Sequence, residues 1–337
     1  HFDAQPVVLE KAMSSSPRSL LRVVAALVFG LAALAARADW PEKPVTMILS
    51  FPPAGATDIL ARAIGLRMSE TMGQSVVVEN RPGAGGNIGL LAAARAPADG
   101  YNVYMAAVTN AAIAAAAYPP QPVHLAKDFV PIAGVAIVPH MLVVPSSLPV
   151  KNVQQLVALL KSQPGKHNFA SQGPGTLSHL ESELFKSAAG VDITHIPYKG
   201  SSQALPDLMA GSSSMMFDSI PASMPHVKSG KLRVLAVASS KRIAMLPDVP
   251  TVAESGIPGF AADNVFGIVA PQGTPSTAIA GLTKAIRAAL DSTELRQRLQ
   301  EQGVELRYTP ADEFGKLIDQ EFRTWGKAVE QAHVKLQ

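Results

Sequence analysis

Three loops in the chain have the composition of anion-binding sites. Each follows an apolar strand-like run, contains glycine or proline, and leads into a helix; they span 51–58, 81–89 and 171–179. Free backbone N–H groups and the positive end of the helix dipole attract anions there without a charged side chain. Two such loops facing each other would suit a molecule with one carboxylate for each. Glycines that serve only tight turning are the alternative, which we favour for 81–89.

The second loop also contains a weak nucleotide-binding pattern. Gly83, Gly85 and Gly89 fit a relaxed G-x-G-x-x-x-G. The pattern begins after Arg81 and Pro82 rather than directly after a strand, and it lies in the second strand–helix unit rather than the first. The sequence therefore does not predict a dinucleotide site.

Sequence patterns of common enzyme classes are missing. The chain has no G-x-S-x-G, no H-E-x-x-H, no G-x-x-x-x-G-K-[ST] and no cysteine, which excludes disulfides and thiol catalysis. Ser178 and His179 are adjacent, but neighbouring side chains on a helix diverge and do not form a nucleophile–base pair by themselves. We expect a non-enzymatic protein without metal or cofactor. The alternative is an exported α/β hydrolase or transferase, whose nucleophile and base would have to meet in the folded chain.

Asp218 is the most interesting acidic residue. It follows Met215-Met216-Phe217 at the end of a strand-like run. A carboxylate there would receive a ligand amine or hydroxyl, or it would cap the helix that follows, and the sequence favours neither. For His179, hydrogen bonding within its own lobe is favoured over ligand binding.

The order of elements predicts an α/β fold. Apolar runs at 45–49, 76–78 and 101–107 alternate with helical patterns that begin near 57 and 88, which is typical of a parallel sheet with helices on its faces. The alternation repeats with strands at 141–144, 168–171, 192–197, 214–217 and 234–238. A strand at 265–270 and helices at 276–290, 293–302 and 310–331 complete the predicted elements.

Two lobes follow from this repetition. We place the first lobe at 39–141 plus 263–337, because the last helices are expected to return to it, and the second lobe at 142–262. The crossing segments near 141–145 and 262–270 would then act as a hinge. Ligands bind at such domain interfaces and beyond the carboxyl ends of parallel strands.

The first 38 residues are not expected to belong to the fold. Residues 1–12 look like a tag or upstream sequence. From Met13, a segment with Arg18 and Arg22 precedes an apolar run at 23–36 and small residues at Ala36 and Ala38. This order predicts a signal peptide at 13–38, secretion, and no stable membrane insertion after cleavage.

The composition argues against a nucleic-acid partner. Twenty-nine basic and 26 acidic residues give a net charge of only +3, and no basic stripe is interleaved with aromatic residues. Apolar residues make up 47% of the chain, which is enough for two well-buried cores.

Motifs along the whole of 39–334 resemble the Bug receptors, the solute-binding proteins of tripartite tricarboxylate transporters. They lie at 40–44, 51–58, 78–89, 99–101, 127–129, 175–180, 196–200, 216–218, 246–256 and 325–327. The resemblance implies a two-lobe periplasmic binding protein with a type II-like Venus-flytrap fold. It would capture a small carboxylate, such as a dicarboxylate, amino acid or aromatic acid. It would act as a monomer with a two-component membrane permease or a sensor, and the sequence does not separate transport from sensing.

The resemblance and the loop analysis together predict one ligand-binding set. In the first lobe it comprises Phe51, Pro53, Ala54, Gly55, Ala56, Thr57, Asp58, Thr109 and Asn110, with Phe266 on a crossing segment. In the second lobe it comprises Ser171, Gln172, Gly173, Gly175, Thr176, His179, Tyr198 and Asp218.

Two residues depart from the family's usual pattern. Ala54 stands where the first loop usually has glycine, and its methyl group is expected to hinder a positive φ or to crowd the ligand. Gln172 stands where a small residue is usual and would add a polar contact.

Overall fold

The computed structural model describes residues 40–120 and 122–336. The predicted upstream segment and signal peptide lie outside the described residues. Among the described helices, none combines the length and the apolar character that crossing a membrane requires.

The first elements form the βαβαβ unit that the sequence predicts. They are β1 (Val45–Leu49), α1 (Ala56–Met72), β2 (Val76–Asn80), α2 (Asn87–Ala94) and β3 (Asn102–Ala107), with a 3₁₀ turn at Ala84–Gly86 before α2. β1 pairs in parallel with both β2 and β3. Because β1 is buried on both faces, it consists almost wholly of apolar residues.

The next segment contains elements that the sequence analysis did not assign. They are α3 (Val108–Ala117), the short α4 (Leu125–Asp128) and β4 (Phe129–Pro145). Only 141–144 was predicted as strand, because Pro131, Gly134 and Pro139 interrupt the pattern. Shifts in the pairing register with β9 near Pro131 and Gly134 accommodate these two residues, so β4 continues for 17 residues.

The second α/β unit follows β4. It comprises α5 (Val153–Ser162), β5 (His167–Ser171), α6 (Leu177–Ala189), β6 (Ile193–Pro197), α7 (Ser201–Met209), β7 (Met215–Ser219), α8 (Ile220–Lys228) and β8 (Leu232–Val237). β5 is parallel to β6 and β7.

The chain then returns. The final elements are β9 (Asp263–Pro271), α9 (Ser276–Asp291), α10 (Thr293–Gln300), β10 (Glu305–Pro310) and α11 (Ala311–Gln331). The strand order is β2-β1-β3-β9-β4-β7-β5-β6, and β8 and β10 also pair with β4. β10 was not predicted; it is short, and Leu306 is its one buried residue.

β4 joins two lobes, and its two halves belong to different ones. Up to Pro139 it pairs with β9, and from His140 it pairs with β7. We call β1–β3, β9 and β10 with α1, α2, α9 and α10 the first lobe, and β5–β8 with α5–α8 the second lobe. Apolar side chains from α1 and α9 share the first core, whereas Phe169 and Phe217 lie in the second.

Two helices connect the lobes at one side. α3 and α11 pack against each other, and Ile113 and Trp325 are buried in the same core as Phe169 of the second lobe. The last helices were predicted to return to the first lobe. α11 instead also reaches the second lobe, where Trp325 is buried.

Candidate functional site

A small cavity lies between the lobes, at the point where the paired strands β4 and β9 pass from one lobe to the other. Its volume is about 20 Å³, enough for about one water. The cavity is lined by Phe51, Pro52, Gly55, Ala56, Thr57, Asn110, His140, Gln172, Gly200, Ser201, Ser219, Asn264 and Phe266. The two lobes are thus closed tightly around it.

The first lobe presents the N-terminus of α1 to this cavity. Gly55 is the N-cap, and no described side chain caps the helix. Ala56 and Thr57, the first two helical residues, line the cavity. The helix has 17 residues and its N-terminus has no side-chain cap, so its free backbone N–H groups are suited to bind an anion.

Asp58 leaves this helix end open because its carboxylate is engaged elsewhere. It accepts hydrogen bonds from Arg62 at 3.0 Å, from Asn80 at 3.0 Å and from the backbone N–H of Ala54 at 3.1 Å. Burial alone would raise the pKa of Asp58, but these hydrogen bonds outweigh burial and lower it. Asp58 therefore holds the loop in shape rather than lining the cavity.

Ala54 adopts the conformation that its methyl group was expected to hinder. Its φ is 66°, in the left-handed region. The methyl group therefore does not prevent a positive φ, and the alternative, that it crowds the ligand, stays a prediction. The hydrogen bond from its N–H to Asp58 fixes the strained loop.

The second lobe contributes Gln172, Gly200 and Ser201. Gln172 donates through Nε2 to Asp218 Oδ1 at 2.6 Å and to Ser201 Oγ at 3.2 Å. Both amide hydrogens are then used, so the carbonyl oxygen of Gln172, an acceptor, is the atom of its amide left for a ligand. Gly200 is the N-cap of α7, a second helix start without a side-chain cap.

Asp218 orients the side chains of Gln172 and Ser201 but does not itself line the cavity. It is fully buried and accepts hydrogen bonds from Gln172, from Ser201 at 2.6 Å, and from Ser223. It neither lines the cavity nor caps a backbone N–H of α8, so neither of the two roles considered from the sequence describes its position.

The helix start at α6 is already satisfied by the protein. Asn110 Oδ1 accepts from the backbone N–H of Leu177 at 2.7 Å, and Thr176 Oγ1 accepts from that of His179 at 3.4 Å. The 171–179 loop therefore reaches the cavity through Gln172. The open helix ends of the second lobe at the cavity are therefore those of α7 and α8, whose N-caps Gly200 and Ser219 line it, rather than that of α6.

The predicted residues divide into two groups. Those that line the cavity are Phe51, Gly55, Ala56, Thr57, Asn110, Gln172 and Phe266. Those outside its lining are Pro53, Ala54, Asp58, Thr109, Ser171, Gly173, Gly175, Thr176, His179, Tyr198 and Asp218.

Several members of the second group have partners elsewhere. Thr109 donates to Glu321, and the hydroxyl of Tyr198 donates to Asp207. His179 stacks on His195 with ring centres 4.1 Å apart. Burial lowers the pKa of His179 to about 4, so this imidazole is neutral near pH 7.

The floor of the cavity consists of polar residues that the predicted set lacks. His140 on β4, Ser219 on β7 and Asn264 on β9 come from three adjacent strands, and they are at most 3% exposed. His140 Nε2, Ser219 Oγ and Asn264 Oδ1 have no hydrogen-bond partner in the described part of the chain. Buried polar atoms rarely stay unpaired, so these three groups are suited to a polar ligand.

Two wider grooves lie elsewhere and are open to solvent. One, of about 550 Å³, runs between the 239–245 loop and α10 and is lined in part by Asp263. The other, of about 570 Å³, separates α1 from α8. Asp263 Oδ1 is the one buried polar side-chain atom without a partner among the described residues that line these grooves, whereas the smaller cavity has three, so that cavity is the better candidate for a specific site.

The local geometry of Ser178 and His179 does not form a nucleophile–base pair. Ser178 Oγ donates to the backbone oxygen of Phe217, and His179 Nδ1 accepts from the N–H of Gly175 at 3.4 Å. Within residues 40–120 and 122–336, no three histidine or acidic side chains are grouped as metal ligands.

Comparison with known proteins gives consistent matches over most of the chain. The model of the "Tripartite tricarboxylate transporter family receptor" matches residues 60–334. Protein BugT of Bordetella pertussis is 37% identical over 308 residues, which cover 91% of this chain and 94% of BugT.

Two solved structures carry ligands. Rpa4515 of R. palustris, solved with adipate, is 37% identical, with a TM-score of 0.84 and coverage of 88% of this chain and 99% of that one. MatC of Rhodopseudomonas palustris, with bound malate, is 31% identical, with a TM-score of 0.79 and coverage of 86% and 100%. The predicted α/β two-lobe binding-protein fold is confirmed by these matches.

Proposed function

Since the chain belongs to the family of tripartite tricarboxylate transporter receptors, we propose that it captures a small carboxylate between its lobes and delivers it to a membrane permease. The observation that carries this proposal is the uncapped N-terminus of α1, which faces a cavity with three unpartnered buried polar groups on its floor. Adipate and malate in the two related structures support a dicarboxylate as ligand. The periplasm is the compartment that this role requires.

Recognition of the carboxylate relies chiefly on the backbone. The N-terminus of α1 provides N–H groups from the first lobe, and the N-terminus of α7 provides them from the second. No arginine or lysine lines the cavity. One carboxylate bound at α1 and contacted from α7 would hold the lobes together.

Binding requires the lobes to move. A cavity with room for about one water does not admit malate or adipate. The lobes therefore open for entry and close on the ligand, with the hinge where β4 changes partners between Pro139 and His140.

A thermal-shift screen tests the proposal. The protein, freed of co-purified ligand, is heated with malate, adipate, citrate, aspartate or nicotinate, and with the matching amides as controls. At 100 times its dissociation constant, a ligand that binds only the native state stabilises it by about 2.7 kcal/mol. We expect such a shift with at least one acid and not with its amide. Equal behaviour of every acid and its amide would contradict carboxylate recognition.

A further inference from the structure

The unusual feature of the cavity floor is the buried hydrogen bond between His140, which lines the cavity, and Glu181 behind it. Nδ1 of His140 lies 2.7 Å from Glu181 Oε2, and both side chains are fully buried. Glu181 lies on α6 and His140 on β4, so the pair joins a helix of the second lobe to the hinge strand. Nε2, the opposite nitrogen of the ring, has no partner, and His140 lines the cavity.

Three acidic groups act electrostatically on His140. They are Glu181 on α6, Asp218 on β7 and Asp263 on β9. Burial alone would lower the pKa of His140, but the charge and hydrogen bond of Glu181, together with the two aspartates, outweigh burial and raise it. Burial raises the pKa of Glu181 as well, and so do Asp218 and Asp263, so the two groups compete for one proton. We assign that proton to His140 because an imidazole is ordinarily a stronger base than a carboxylate by about 2 pKa units.

The hydrogen bond to Glu181 also fixes the role of the ring. Because Glu181 accepts at Nδ1, the cationic ring has its second N–H at Nε2, on the unpartnered side. A charge-assisted donor in a buried cavity is suited to an anionic oxygen. Gln172, which offers an acceptor, and Asn264, whose Oδ1 is unpartnered, would instead suit hydroxyl or amine groups.

We propose that His140, positioned by Glu181, donates from Nε2 to a second carboxylate of the ligand, whose first carboxylate lies at the N-terminus of α1. This assignment rests on the proposed function and narrows it to dicarboxylates. The cavity floor then distinguishes a diacid from its monoamide at the end facing β4. Glu181 is a positioning residue, because it acts through His140.

The proposal predicts a pH dependence with a definite sign. The cationic form of His140 binds the carboxylate, so affinity is full below the pKa of His140 and falls as pH rises through it, by at most about tenfold per unit. The carboxylates of malate and adipate are themselves ionised above about pH 6, so the decline comes from the protein.

Titration calorimetry with adipate, adipate monoamide and malate between pH 6 and pH 9 tests the assignment. We compare the wild type with Glu181→Gln, with the double variant His140→Gln/Glu181→Gln, and with His226→Gln on α8, which lies outside the cavity. The double variant replaces both members of the pair by neutral amides, so no single buried charge is left unpaired. Thermal unfolding without ligand checks that each variant is folded.

We expect the wild type to prefer adipate over its monoamide by at least about tenfold, since a hydrogen bond to a charged group has that magnitude. The double variant should lose this preference and the pH slope together. Glu181→Gln should move the decline to lower pH, and His226→Gln should match the wild type. The titration is then repeated in buffers of different ionisation enthalpy. Above the pKa of His140, the wild type should take up a proton on binding, whereas the double variant should not.

Two different failures are distinguishable. If the wild type binds neither malate nor adipate, the dicarboxylate proposal fails and the role of His140 fails with it. If the wild type binds a dicarboxylate but a folded double variant retains its affinity, pH slope and proton uptake, carboxylate capture stands and the assignment of His140 is overturned.

Discussion

Replacing Gly200 with alanine is expected to weaken carboxylate binding by about 10- to 100-fold, because overpacking at a tight contact costs about 1–3 kcal/mol. A Cβ on Gly200 would lie 2.5 Å from Cγ and 2.7 Å from Cδ of Pro52. Pro52 belongs to the first-lobe loop and Gly200 to the second lobe, so this contact exists only when the lobes are closed. The φ of Gly200, 145°, adds strain for any other residue.

A control separates closure from local strain. Gly190→Ala also places alanine at a positive φ, 61°, but no atom lies within 4 Å of its Cβ. Titration of malate and adipate into both variants should show the loss of affinity in Gly200→Ala alone. The loss of thermal stability should be larger in Gly200→Ala, because its φ of 145° and ψ of 174° lie in a region that essentially only glycine adopts. Equal affinity of the two variants would mean that Pro52 and Gly200 do not meet in the ligand-bound form.

Placing a carboxylate at the start of α1 should abolish binding. Ala56 is the first helical residue and lines the cavity. In Ala56→Asp the new side chain would occupy the anion site and repel a bound carboxylate by about 4 kcal/mol for charges 4 Å apart at an effective dielectric constant of 20. We expect a loss of at least about 100-fold. The helix itself should gain about 0.3–1 kcal/mol from the acidic residue at its N-terminus, so the fold is preserved.

Ala56→Asn is the matched variant, since it has nearly the same shape without the charge. Calorimetry should show that its loss of affinity is at least about tenfold smaller than that of Ala56→Asp, the difference being the charge repulsion. Similar affinities of the two variants would argue that no carboxylate binds at this helix end.

Local patterns in the sequence were enough to predict the fold class. Apolar runs such as Val45–Leu49 and the glycine and proline loops after them mark strands and helix starts wherever neighbouring residues decide the structure. β4 was recognised only at 141–144, because its prolines and glycine are compatible with a strand only after bulges form against β9. The alanine-rich α3 was also missed, since six alanines among its ten residues give no clear amphipathic period.

In the candidate site, too, the parts decided by local sequence could be predicted and those decided by long-range strand pairing could not. The loop before α1 could be predicted, because a glycine- and proline-containing loop followed by a helix is a local feature. His140, Ser219 and Asn264 could not, because each is one polar residue at a strand position whose neighbours are decided by long-range pairing of β4, β7 and β9. Their signal was a polar residue within an apolar run, as at Pro139-His140-Met141, which the sequence alone does not distinguish from a satisfied core residue.

Asp218 illustrates a further limit. Its place at the carboxyl end of a strand was correctly identified as unusual, but the side chain acts one step behind the cavity by holding Gln172 and Ser201. Sequence position gives the end of the strand but not the direction of the side chain. The partners, 46 and 17 residues away, become neighbours only in the folded second lobe.

The central claim, that the lobes close on a carboxylate, is tested most directly by an inter-lobe distance. The chain has no cysteine, so Thr71→Cys on α1 and Lys228→Cys on α8 provide two spin-label sites, both at exposed positions in opposite lobes. With saturating malate or adipate, the distance distribution should shift to shorter values and narrow, and Gly200→Ala should reduce that shift. An unchanged distribution in a protein that a thermal shift shows to be fully bound would contradict closure as the mechanism of capture.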